Sequence, residues 1–193
     1  MSEINVQDLA EQIAAHLPGW QARPQRGSDY GHCRYATIKH DGGGLIQLYY
    51  DSYRKHVSCS GRYPERNGRS CSPSDWGVLR YSEAAPAIKF SPTREPKALA
   101  RDIERRFLAK YLPLFAACQS RKGEHEAAEE DRSTYLARYA AACGGKVRGE
   151  KIHLYCEDDG MMGDVQVQTD GGARIDVWVP ADKAEKIMQI LGS

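Results

Sequence analysis

No apolar run in these 193 residues approaches the roughly 18 that a helix needs to cross a bilayer. That excludes a membrane-spanning helix. The opening residues, MSEINVQDLAEQIAAHL, carry acidic side chains at helical spacing, where a secretion signal has a basic end and an apolar block. The expected location is therefore cytoplasmic. No C-x-x-C pair occurs, which removes the spacing of a zinc knuckle or a thioredoxin-like centre. The six cysteines (Cys33, Cys59, Cys71, Cys118, Cys143, Cys156) are scattered and read as reduced thiols used as small core residues. Neither G-x-G-x-x-G nor a glycine-rich loop ending in Gly-Lys-Ser/Thr is present, so dinucleotide and phosphate loops are not signalled. DGGG (41–44) and DGG (170–172) read as hairpin turns instead.

Metal chemistry is thinly signalled. HEAAEE (125–130) has Glu129 where a zinc-protease helix needs its second histidine. His56-x-x-Cys59 with Cys71 offers three soft ligands, and His32 lies beside Cys33. Strand neighbours point to opposite faces, so His32 and Cys33 do not share an ion. Asp158, Asp159 and Asp164 surround GMMG but match no calcium-loop spacing. Cysteine catalysis needs a thiolate beside a histidine, and sequence spacing singles out no such pair. No metal, no cofactor and no catalytic residue is expected.

What is there is an ordinary folded composition, 41% hydrophobic and 27% charged. The net charge of +1 is unevenly spread. Residues 1–93 sum to +2, 94–149 to +4 and 150–193 to −5, so any nucleic-acid surface must be local.

Val6, Leu9, Ile13 and Leu17 predict a helix over 6–17, stopped by Pro18–Gly19. Alternation then predicts strands over 33–39, 45–52, 55–63 and 87–91. From 95 to 143 the period becomes helical, with Leu99, Ile103, Phe107 and Tyr111 on one stripe. Pro113 is expected to kink or interrupt that helix. Gly123 and the charged run after it mark the start of a second helix carrying Leu136, Tyr139 and Cys143. Strands return at 151–157, 164–169 and 173–179, with DGMMG (159–163) and DGG as reversals. Pro180 opens a closing helix. The order implies α+β with antiparallel sheets. Its parts are 1–93, N-terminal helix and meander; 94–145, central helical region; and 146–193, C-terminal strands and helix.

Positive charge and aromatics concentrate in DSYRKHVSCSGRYPERNGRS (51–70). Tyr53, Arg54, Arg62, Tyr63, Arg66 and Arg69, with Trp76, form the candidate partner-binding surface, since Tyr and Arg anchor most interface hot spots. The same face with Lys55 is the candidate for nucleic acid, through phosphate-binding arginines and base-stacking tyrosines. Arg94, Lys97, Arg101 and Arg105 add a basic ridge along one helix side, interrupted by Asp102 and Glu104. A solvated strand and helix face is the plain alternative for both.

The blocks LAEQIAAHLPGW, YYDSYRKHVSCSGRYP, SPSDWGVLRYSE and ALARDIERRFLAKYL, within residues 9–112, resemble accessory proteins carried by bacterial phages and plasmids. The resemblance implies no catalytic residues. It implies a protein that binds a host complex, as anti-CRISPR and other anti-defence inhibitors do. The leading expectation is a non-enzymatic protein that occludes a partner site. The alternatives are a nucleic-acid-binding accessory protein and an enzyme whose site is dispersed in sequence.

Overall fold

The computed structural model describes residues 4–23, 34–156, 160–168 and 170–191. The His32–Cys33 pair and the carboxylates of Asp158 and Asp159 lie outside them. The chain divides into two compact units, residues 1–122 and 123–193. The 94–145 helical region runs across that division.

In the first unit, Asn5 opens helix α1 (Val6–Ala14) by accepting a 3.0 Å hydrogen bond from the Gln7 N–H. The helix is shorter than its apolar spacing predicts. His16 and Leu17 turn back onto the Ile13 and Ala14 carbonyls, and Gly19 takes a left-handed φ of +75°. A strand absent from the sequence reading follows, β1 (Trp20–Arg23). Then come β2 (Tyr35–His40), β3 (Leu45–Asp51), β4 (His56–Arg62) and β5 (Ala87–Phe90), all antiparallel in sequential order. Alternation sends Ala36, Ile38, Ile46, Leu48, Val57, Cys59, Ile88 and Phe90 into one core with α1.

Helix α2 (Pro96–Asp102) starts on proline and widens into a π segment (Ile103–Leu108) that continues as α3 (Ala109–Cys143). Leu99, Ile103, Phe107 and Tyr111, the predicted stripe, are buried against the sheet. α3 runs on through Pro113 and through Gly123, so the expected interruption and the separate second helix do not occur. Seven of residues 124–132 are Glu, Ala or Arg, strong helix formers that favour the chain staying helical past the glycine.

The buried Tyr111 hydroxyl joins helix to sheet. It accepts from the Leu45 N–H at 2.9 Å and donates to the Arg62 carbonyl at 2.7 Å, the Leu45 carbonyl at 3.1 Å being the alternative acceptor. Its ring lies on Gly61, where any Cβ would collide with the aromatic carbons.

The second unit takes the later part of α3 and strands β6 (Lys146–Arg148), β7 (Lys151–Cys156), β8 (Met161–Val167) and β9 (Ala173–Trp178), again antiparallel in sequential order. Helix α4 (Ala181–Leu191) closes it. Ile152, Leu154, Val165 and Val167 are buried around Leu136, with Tyr135 and Tyr139 beside them. β6 was not expected from the sequence. Met161, Met162 and Gly163, read as a turn, belong to a strand. Gly163 lets β9 approach, because a Cβ there would meet the backbone of Asp176 and Val177.

The architecture is thus α+β with two antiparallel sheets, a long helix in the middle of the chain and a helix at each end of the described elements.

Candidate functional site

The basic, tyrosine-rich stretch is divided by the fold. Tyr53, Arg54 and Lys55 form the turn between β3 and β4. Asp51 holds that turn, its Oδ1 accepting 3.0 Å hydrogen bonds from the backbone N–H groups of both Tyr53 and Arg54. Lys55 closes it at a left-handed φ of +55°. The Arg54 N–H above all, with the Tyr53 N–H and the nearby charges of His56 and Arg54, outweighs partial burial and lowers the Asp51 carboxyl below its ordinary range. Tyr53 stands 92% exposed on this fixed turn.

Arg62, Arg66 and Arg69 lie beyond the other end of β4. Seven residues of strand set the two groups about 20 Å apart. Arg66 and Arg69 exchange backbone hydrogen bonds of 3.0 Å around Asn67 and Gly68, whose φ values of +53° and +72° make a tight two-residue reversal. The Arg62 guanidinium bonds the Ser70 hydroxyl at 3.0 Å, and that of Arg66 lies 5.9 Å over the Trp76 ring.

Tyr63 and Trp76 are core residues, each 7% exposed, and they offer a partner almost nothing to touch. Tyr63 packs edge-on against Tyr111, and the Trp76 indole donates to the Pro64 carbonyl at 3.0 Å. Apolar area decides both placements: burying a large ring gains more than a solvent-facing position does.

Lys97, Arg101 and Arg105 are exposed on the helical segment, as the spacing predicts. The ridge is partly neutralised, since Asp102 draws in Arg94 at 2.7 Å, Arg105 at 3.6 Å and Arg106 at 3.9 Å. The Arg94 hydrogen bond foremost lowers the Asp102 carboxyl.

His56 and Cys59 do not share a site, because β4 sends Cys59 into the core and His56 to the other face. Burial pushes the Cys59 thiol well up and the Cys118 thiol in the same direction, which disfavours the reactive thiolate at both. Among the described residues, no group of three or more His, Cys, Asp or Glu side chains could hold a metal ion.

A second surface escaped the sequence reading. The face of the β6–β9 sheet away from α3 carries three cross-strand rows. Arg148, Lys151, Gln166 and Arg174 form the first; Lys146, His153, Asp164 and Asp176 the second; Tyr155, Met162 and Trp178 the third. The first two rows line a groove of about 750 Å³, with Tyr155 and Met162 at its margin. The signal was present in KIHLYC, where Lys151, His153 and Tyr155 alternate with apolar residues. The segment's overall acidity hid it.

Charge divides with the units. Residues 1–122 hold 19 basic and 12 acidic side chains, net +7, and residues 123–193 hold 8 and 14, net −6.

Fold and surfaces together define an α+β protein of two antiparallel-sheet units. No protein family, no curated protein and no solved structure matches the chain. Among the described residues, no helix is long and apolar enough to cross a membrane.

Proposed function

We propose that the chain works by binding, as an accessory protein that occludes a surface of a host nucleoprotein complex. The observation that carries this reading is the β3–β4 turn. Tyr53, Arg54 and Lys55 are three consecutive exposed side chains on a backbone already fixed by Asp51. Tyr and Arg are the residue types that dominate interface energetics, and a turn ordered beforehand loses little entropy on docking. The excess of +7 over residues 1–122 favours a partner with an anionic surface, by steering encounter. The resemblance of residues 9–112 to phage and plasmid accessory proteins supports a defence complex as that partner and occlusion, in the manner of an anti-CRISPR inhibitor, as the mechanism.

The test uses bacteria with an active CRISPR system and a targeted plasmid. Expressing the chain should restore plasmid establishment, and nuclease-treated lysate should yield a stoichiometric complex with the purified chain. Tyr53→Ala with Arg54→Ala should weaken that complex about 30-fold, as loss of a hot spot does, at unchanged melting temperature. Equal affinity in the double variant would remove the turn as the contact. Unrestored plasmid establishment would remove the defence complex as the partner.

A further inference from the structure

We infer that the open face of the β6–β9 sheet binds single-stranded nucleic acid. This site is separate from the β3–β4 turn and does not depend on the reading given to it.

Residues 123–193 are acidic overall, yet four of their eight Lys and Arg side chains (Lys146, Arg148, Lys151 and Arg174) line one groove. Three of them stand in a single cross-strand row with Gln166. A row with cations on three of four adjacent strands and an amide on the fourth suits a phosphate backbone, which places a charge at every nucleotide. Along the strands, four residues and about 13 Å away, runs the parallel row Tyr155, Met162 and Trp178. Tyr155 is 71% and Trp178 62% exposed. Exposed aromatic rings beside a cationic track are the arrangement on which unpaired bases stack.

The middle row decides between one strand and two. Asp164 Oδ1 lies 2.6 Å from His153 Nδ1 and Asp164 Oδ2 3.8 Å from the Lys151 ammonium, and Asp176 is its neighbour on β9. Carboxylates repel a phosphate backbone but accept hydrogen bonds from the N–H groups that unpaired bases expose, the N3–H of thymine and uracil included. A single strand lays phosphates on the first row and bases over the second and third. A duplex keeps its bases stacked inside and brings a second backbone over the two aspartates. The acidic remainder of the unit also removes the diffuse attraction that would let any polyanion bind.

The experiment titrates fluorescein-labelled dT12 and U12, and a 12-base-pair duplex, into the full chain by anisotropy at 50 and 200 mM salt. Both single strands should bind, and the duplex should bind at least tenfold more weakly. About four phosphate contacts should make single-strand affinity fall about 50-fold between the two salts. Arg148→Ala with Arg174→Ala, and separately Tyr155→Ala and Trp178→Ala, should each weaken binding by about tenfold or more. Arg138→Ala, on the exposed side of α3, should not. Circular dichroism checks that each variant is folded, and quenching of the Trp178 emission by dT12, absent in Trp178→Ala, reports stacking without relying on a variant's affinity.

Equal affinity for duplex would overturn the inference. So would binding that survives loss of both arginines, which would locate it on the basic residues of the first unit. Binding of poly-glutamate in place of dT12 would overturn it in favour of an acidic protein segment.

Discussion

Tyr111 shows how one side chain can tie two layers. Its hydroxyl serves the Leu45 N–H and the Arg62 carbonyl inside the first core, so Tyr111→Phe leaves polar backbone without that partner. The expected loss is about 1–3 kcal/mol of stability in urea unfolding at neutral pH. Burial pushes the Tyr111 phenol up to about 12, against about 10 in an unfolded chain. Tyr63 moves in the same direction, again through burial. Folded protein therefore holds these protons where unfolded chain releases them. Their contribution is complete below pH 10 and is lost as pH rises toward 12. Alkaline titration should show tyrosinate absorbance appearing together with unfolding of residues 1–122. Asp51 has the opposite sign. Its lowered carboxyl holds the β3–β4 turn above about pH 4, and the hold is lost as pH falls through the folded-state value. In Asp51→Ala the Tyr53 and Arg54 amides should exchange faster at neutral pH, while amides of the β4 centre stay protected.

At the scale of elements, two glycines test opposite arguments. Gly61 lies in β4 under the Tyr111 ring, and Gly61→Ala forces that ring and α3 outward. Overpacking of this kind costs about 1–3 kcal/mol, measurable as a lower urea midpoint at unchanged slope. Gly123 lies within α3 with nothing near the position of an added Cβ. Gly123→Ala should raise stability by up to about 1 kcal/mol, because alanine gives up less backbone entropy to a helix. A neutral or negative effect would mean that residues near 123 are not helical in solution. The elements also explain the fate of the basic stretch. β4 is a seven-residue strand, so residues that touch in the written sequence end up at its two ends, and the next aromatics turn inward.

For the whole molecule, the two cores are unequal. The first gathers α1, five strands and the helical stripe, whereas the second rests on Leu136, Ile152, Leu154, Val165 and Val167. Less buried apolar area gives a lower opening free energy. Hydrogen exchange followed by mass spectrometry should find amides of 146–178 exchanging ahead of those in β2–β4. Uniform protection would contradict two separately stabilised units.

The sequence by itself determined the α+β class, the antiparallel strands and the helical stripe from Leu99 to Tyr111, because the period of apolar residues is a local property. Only the tertiary structure decided that Tyr63 and Trp76 turn inward and that Lys151, Gln166 and Arg174 stand in one row, because burial and strand register are set by contacts between residues distant in the chain.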